Sequence, residues 1–241
     1  MSDPGEIRSV ILAGGKGTRL LPYTTALPKP LMPVGEMPIL EIIVRQLRHF
    51  GFSRMTLSVG HLHALLRAYF GDGSRWGAEM DYSLEEEPLG TAGPVALVPD
   101  LTDTFLVMNG DLLCSIDYRD MVRAHLASGA VATIATYSKQ VQLQLGVLET
   151  KDGRLTDYVE KPTLSYDVSM GIYVLDRAVL DFIPVGRRFD LPDLIKALLA
   201  VDQKVNLYPF TGYWRDIGTI EEYSTANAEF AEVQPSLNLA G

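Results

Sequence analysis

The sequence predicts an α/β fold on a mixed, mainly parallel sheet, and three features carry that expectation. An apolar segment, Ser9-Val10-Ile11-Leu12, runs directly into a glycine-rich basic loop. Strand-like and helix-like segments then alternate through the first half of the chain, as parallel βαβ units require. Further on, an Asp-Gly turn between two apolar runs signals a hairpin, which breaks the parallel order at one end.

Taken in order, residues 9–12 read as a first buried strand. Residues 39–50 carry apolar side chains at 39, 40, 43, 44 and 47, a helical stripe that follows Pro38 and stops at Gly51. Residues 55–59 read as strand, and 62–70 as a helix closed by Gly71-Asp72-Gly73. Segments 78–84 and 105–108 read as strands, the second fully buried, and 117–128 as a helix before a strand at 130–137. Runs 145–150 and 155–160 flank Lys151-Asp152-Gly153-Arg154 and predict the hairpin. A short strand at 172–175, a helix at 191–200, a strand at 205–208 and a terminal helix at 219–233 complete the reading. No linker or internal repeat interrupts the 241 residues, so one domain is expected. Its first lobe spans about 1–137 and its second lobe about 138–230, with 231–241 as a tail.

The loop after the first strand carries the chemistry. Gly14, Gly15 and Gly17 let the backbone approach a bulky ligand and turn its N–H groups inward, as a polyphosphate requires. Lys16, Arg19 and Lys29 add positive charge. The dinucleotide fingerprint is excluded because Leu20 stands where its third glycine belongs, and the P-loop because Lys16 is followed by Gly17. A glycine-rich turn without a ligand needs neither three small residues nor three cations.

Ligands of open α/β sheets bind beyond the carboxyl ends of the strands. Asn109-Gly110-Asp111 has that position after the strand at 105–108. A carboxylate beside phosphates is repulsive unless a divalent cation joins them, and Mg²⁺ takes one or two carboxylates together with phosphate oxygens. Asp216, in Tyr213-Trp214-Arg215-Asp216-Ile217-Gly218-Thr219, is a second candidate. Either Asp alone also suits a turn or a helix cap. Glu85-Glu86-Glu87-Pro88-Leu89-Gly90-Thr91-Ala92-Gly93 reads either as a solvated acidic loop before a helix or as the wall of a base site. In the second case Glu85 accepts N–H groups and the Gly90 backbone lies against the ring.

Composition sets the bounds. Net charge is −9, so any basic site is local and a broad nucleic-acid footprint is not expected. The one cysteine, Cys114, excludes a disulfide framework and reads as core packing. His61 and His63 flank a strand end without a third ligand and do not read as a metal site. No apolar leader or membrane-length run is present, so a cytoplasmic protein without membrane partners is expected.

These motifs together resemble the sugar-1-phosphate nucleotidylyltransferases, in particular their short mannose-1-phosphate guanylyltransferase-like members. The series is the Leu12-Ala13-Gly14-Gly15 loop through Leu20, Pro28-Lys29-Pro30, Glu87 to Gly93, Asn109-Gly110-Asp111, the glycine of Leu145-Gly146-Val147, Glu160-Lys161-Pro162, Met170-Gly171-Ile172-Tyr173-Val174 and Trp214-x-Asp216-Ile217-Gly218-Thr219. The resemblance implies the Rossmann-like three-layer nucleotide-diphospho-sugar transferase fold. It implies Mg²⁺-dependent transfer of a nucleotidyl group, with GTP favoured, to mannose-1-phosphate or a related hexose-1-phosphate. Leu12, Ala13, Gly14, Gly15, Gly17, Thr18 and Arg19 then surround the nucleotide, with Glu85 and Gly90 at the base. Arg19 and Lys29 meet phosphates, Asp111 and Asp216 hold the metal, and Gly146, Glu160, Lys161 and Ser169 meet the sugar phosphate. Ser169 stands where many relatives have Asn, and Gln142-Leu143-Gln144-Leu145 lacks their usual aromatic residue. Uridylyl, thymidylyl and cytidylyl transfer stay open, as does a catalytically silent nucleotide-sugar-binding regulatory subunit. The β-helix module of longer relatives is not expected, and a homo-oligomer is compatible with the chain.

Overall fold

The computed structural model describes residues 4–239. Strand β1 (Arg8–Ala13) leads through the glycine loop to a small antiparallel pair, β2 (Pro33–Val34) and β3 (Met37–Pro38), and then to α1 (Ile39–His49). β4 (Arg54–Val59), α2 (His63–Phe70), β5 (Glu79–Leu84) and β6 (Thr104–Asn109) follow, then a three-residue β7 (Leu112–Cys114) and α3 (Tyr118–Ser128). The second half holds β8 (Ala132–Gln142), β9 (Val147–Lys151), β10 (Arg154–Val159), β11 (Thr163–Asp176), α4 (Leu191–Ala200), β12 (Val205–Phe210), β13 (Trp214–Asp216) and α5 (Ile220–Val233).

The central sheet has seven strands in the order β12-β8-β11-β6-β1-β4-β5. Only β11 is antiparallel to its neighbours, β6 and β8; β12–β8, β6–β1, β1–β4 and β4–β5 are parallel. Alternation along each strand feeds two cores. Ile11 and Ala13 of β1, with Leu106 and Met108 of β6, face the layer made by α1, α2, α3 and α5. Val10, Phe105 and Val107 face α4 on the other side. This is the mainly parallel three-layer arrangement the sequence predicts. Helix α1 is the most enclosed of the α-helices: Ile39, Leu40, Ile42, Ile43, Val44 and Leu47 are all fully buried.

Several elements differ from expectation. The strand expected at 172–175 is the inner end of the 14-residue β11, whose outer half pairs with β8 from Thr163↔Gln142 onward. Exposed Ser165 and Asp167 weaken its apolar signal. The helix expected after Gly93 is a five-residue 3₁₀ segment, Gly93–Leu97. The short strands β7 and β13 were not anticipated.

The tail assignment of 231–241 is corrected. Residues 231–233 complete α5, Gln234–Leu237 form a 3₁₀ turn, and Leu237 is fully buried in the larger core. Residues 240 and 241 lie outside the described residues. Cys114 is buried, as expected. Among the described residues, no helix is long and apolar enough to cross a membrane. Leu237→Ala should therefore cost about 2–4 kcal/mol in urea unfolding, as a cavity in a packed core does; a loss near zero would restore the frayed tail.

Candidate active site

The carboxyl ends of β1, β4 and β6 open onto a cavity of about 1020 Å³. Its walls include all the residues proposed from sequence for the nucleotide: Leu12, Ala13, Gly14, Gly15, Gly17, Thr18, Arg19, Glu85, Gly90 and Asp111. Lys16 and Lys29 line it as well. A second cavity of about 290 Å³ adjoins it, sharing Thr91 and Asn109, and is lined by Ser169, Met170, Tyr173, Trp214 and Asp216.

Local geometry explains the glycine loop. Gly17 has φ +62°, capping the 3₁₀ turn Thr18–Leu20, and its carbonyl accepts the Thr24 hydroxyl at 2.8 Å. A β-carbon there would be both strained and 2.8 Å from the Thr24 methyl. Gly14 packs against the Glu85 carboxylate so closely that a β-carbon would come 2.5 Å from Oε1. The two expected walls of the nucleotide site are thus in contact.

Glu85 follows β5. Its Oε2 accepts the Leu89 N–H at 3.1 Å and its Oε1 the Ser58 hydroxyl at 3.3 Å. Burial pushes its carboxyl above the usual range, against the lowering effect of these two donors. The following loop is pinned by residues 99 positions further along the chain. The Thr91 N–H donates to Asp190 Oδ1 at 3.0 Å, and the Ala92 and Gly93 N–H groups both donate to the Phe189 carbonyl at 2.9 Å.

Asp111 lies in the turn between β6 and β7, and Asp216 ends β13. The two strands pair antiparallel with Asp216 opposite Leu112, and the Ile217 N–H donates to the Asp111 carbonyl at 3.1 Å. This short ladder brings together two carboxylates separated by about a hundred residues of chain. Lys29, nearly buried in its own 3₁₀ turn, forms an ion pair with Asp111 Oδ2. Asp111 Oδ1 is buried and has no hydrogen-bond partner. Burial first, then the charge of Asp111, pushes the Asp216 carboxyl upward, opposed by Lys29 and Arg19. An unpartnered oxygen beside a second, half-buried carboxylate fits a divalent cation. Among the described residues no group of three His, Cys, Asp or Glu gathers as a ligand set.

The residues expected at the sugar phosphate divide. Ser169 lines the smaller cavity, and its hydroxyl meets the Tyr173 hydroxyl at 2.9 Å where the β11–β8 register shifts. Trp214 closes that cavity and donates its indole N–H to the Met170 carbonyl at 3.2 Å. Gly146, Glu160 and Lys161 lie on the exposed β9–β10 arm and line neither cavity. Sequence reasoning missed Arg188 and Asp190, which line the larger cavity, and it set aside His61 and His63, which stand on its rim. The tandem Arg187-Arg188 beside Gly186 was the available signal for the first.

A nucleotide-diphospho-sugar transferase fold is what this sheet and its paired cavities define. HddC from Yersinia pseudotuberculosis superposes with a TM-score of 0.73 at 25% identity, over 93% of this chain and 99% of that one. The nucleotidyl transferase family model matches residues 8–233, and the chain belongs to that family. It is 35% identical to a UTP–glucose-1-phosphate uridylyltransferase of Synechocystis, over 90% of this chain and 61% of the relative. It is 34% identical to a mannose-1-phosphate guanylyltransferase of Mycobacterium tuberculosis, over 98% and 68%. The chain thus spans about two thirds of the length of these curated relatives.

The raised Glu85 carboxyl sets a pH dependence. An acid whose folded value is raised contributes stability below its unfolded value and loses it as pH rises through the folded one. Ionised Glu85 therefore weakens the fold near neutrality. Glu85→Gln should melt higher than the wild type at about pH 7, with the gap closing below about pH 4, where both side chains are neutral. Parallel melting curves across that range would contradict the assignment.

Proposed function

We propose that this chain is a Mg²⁺-dependent sugar-1-phosphate nucleotidylyltransferase that uses an NTP and releases pyrophosphate. The observation that carries the reading is the Asp111–Asp216 pair at the junction of two cavities, with an unpartnered Asp111 oxygen and Lys29 on the other. The larger cavity suits the NTP and the smaller one the sugar. In this reading a phosphate oxygen of the sugar-1-phosphate attacks the α-phosphorus. The bond from that phosphorus to the bridging oxygen breaks, and pyrophosphate leaves with the electron pair. The nucleophile is already an anion, so no general base is assigned.

The work left to the protein is holding two polyanions in line and offsetting their repulsion. Lys29 and Arg19 bind and orient the phosphates. The Arg19 guanidinium lies close against Gly218, just before α5. Asp111 and Asp216 would hold Mg²⁺, which supplies charge neutralisation at the transferring phosphate. Ser169 meets the sugar, and Glu160, Lys161 and Gly146 would meet it and its phosphate from the β9–β10 arm. The nucleotide-binding half is then about 1–137 and the sugar half about 138–230.

GTP is the favoured donor and mannose-1-phosphate the favoured acceptor. Glu85 is an acceptor-only group and suits the adjacent N–H donors of guanine, which uracil does not offer as a pair. The name of the Mycobacterium relative supports this choice, whereas that of the Synechocystis relative supports UTP and glucose-1-phosphate. The regulatory-subunit reading has less support, because Arg19, Lys29, Asp111, Lys161 and Asp216 are all present.

The test is pyrophosphate release with Mg²⁺ over a panel of five NTPs and four hexose-1-phosphates. One strongly preferred pair is expected, with GTP in it. Silence across the panel with NTP binding retained would favour the regulatory subunit. In the preferred pair, Asp111→Asn should lower kcat on the order of a hundredfold or more without lowering the melting temperature; near-wild-type turnover would remove Asp111 from the site.

A further inference from the structure

Strand β13 has two unlike faces. Successive side chains of a strand point to opposite sides, and Trp214 and Asp216 line the smaller cavity. Arg215 turns the other way, onto α5, together with Tyr213 just before the strand. There both converge on one carboxylate. Arg215 Nη2 donates to Glu229 Oε1 at 2.9 Å and to Oε2 at 2.8 Å. The Tyr213 hydroxyl donates to the same Oε2 at 3.0 Å and accepts the Arg215 Nε–H at 3.3 Å. The three side chains close a triangle, and each is partly buried.

That triangle opposes a definite force. Asp216 stands beside Asp111, and like charges push β13 outward. The β7–β13 ladder that resists is three residues long and belongs to a two-stranded sheet separate from the central one. Such a pair of strands is marginal without further support. Helix α5 is itself anchored. Ala226 and Phe230 are buried in the larger core, Asn227 Oδ1 accepts the Gly35 N–H at 3.1 Å, and the Tyr223 hydroxyl donates to the Pro33 carbonyl at 2.7 Å.

We propose that Glu229 is a positioning residue for the metal pair: through Arg215 it holds β13 against α5 and so sets the separation of Asp216 from Asp111. This rests on the reading of those two aspartates as cation ligands. Glu229 itself touches neither ion nor substrate. An ion pair this near the surface contributes little to global stability. Mg²⁺, however, demands near-ideal octahedral geometry, so a small displacement of one carboxylate is felt in its affinity. Groups that orient metal ligands act in this way, without contact to the ion.

The experiment is retention of Mn²⁺ with GTP, read by electron paramagnetic resonance, for the full chain as wild type, Arg215→Met, Glu229→Ala and the double variant. Leu198→Ala, in the core on the other face of the sheet, is the stability control, and circular dichroism melts accompany each. Both single variants are expected to retain the ion at least about fivefold more weakly. The double variant should lose no more than the more affected single one, because both remove the same contact. Leu198→Ala should melt lower yet retain the ion as wild type does. A purely electrostatic effect would instead strengthen retention in Arg215→Met, which removes a positive charge. That result, wild-type retention in both single variants, losses that multiply in the double, or an equal loss in Leu198→Ala would each overturn the proposal. Asp216→Asn separates it from the reading beneath it. If that variant keeps the ion, or wild type binds none, the ligand assignment fails and the proposal with it. If Asp216→Asn loses the ion while the Arg215 and Glu229 variants keep it, the positioning role alone fails.

Discussion

Two carboxylates held side by side at a half-buried junction are the constraint on which the rest of this site depends. Asp111 and Asp216 repel one another, and burial raises the cost of charging Asp216. The chain nevertheless fastens them together with the β7–β13 ladder and the Ile217–Asp111 backbone bond. Lys29 answers part of the repulsion through Asp111 Oδ2, and Oδ1 stays unanswered. A protein built only for stability has no use for that arrangement. In the proposed reaction a divalent cation and a polyphosphate would give it one.

The scaffold explains why the arrangement holds. The Asp111 turn is set by β6, in the middle of a sheet whose two faces are both covered by core. Its neighbour β1 delivers the glycine loop to the same end, and the Gly110 N–H donates to the Leu12 carbonyl at 2.9 Å. Asp216 precedes α5, which is capped by Thr219 and also tied by Glu222 to the Gly218 N–H. Asp111 and Asp216 are therefore carried by elements tied into the core. By contrast, Gly146, Glu160 and Lys161 are carried on an exposed arm.

What the sequence made legible follows from range of interaction. The glycine loop, Lys29, Glu85 and Asp111 were readable because each is tied to a strand end or turn with a local signature. The layers were readable because apolar periodicity along 39–47 and 105–108 is strong. Strands β7 and β13 were not, since three residues show no period and their pairing spans the chain. The same holds for the Thr91–Asp190 contact, which closes the base-side loop from 99 residues away. Leu237 and Leu239 are isolated apolar residues after Pro235, too little to mark a packed terminus until α5 brings them to the core. The register of the hairpin was hidden for another reason: the Asp-Gly turn reveals a hairpin, but only the structure gives its cross-strand partners.

The most direct test of the central claim is binding of Mn²⁺ in the presence of GTP, followed by electron paramagnetic resonance, for wild type, Asp111→Asn and Asp216→Asn. The account predicts a bound ion in the wild-type ternary complex and at least tenfold weaker retention in each variant. Equal retention in all three would show that these carboxylates do not hold the cation, and the role assigned to their forced proximity would be wrong.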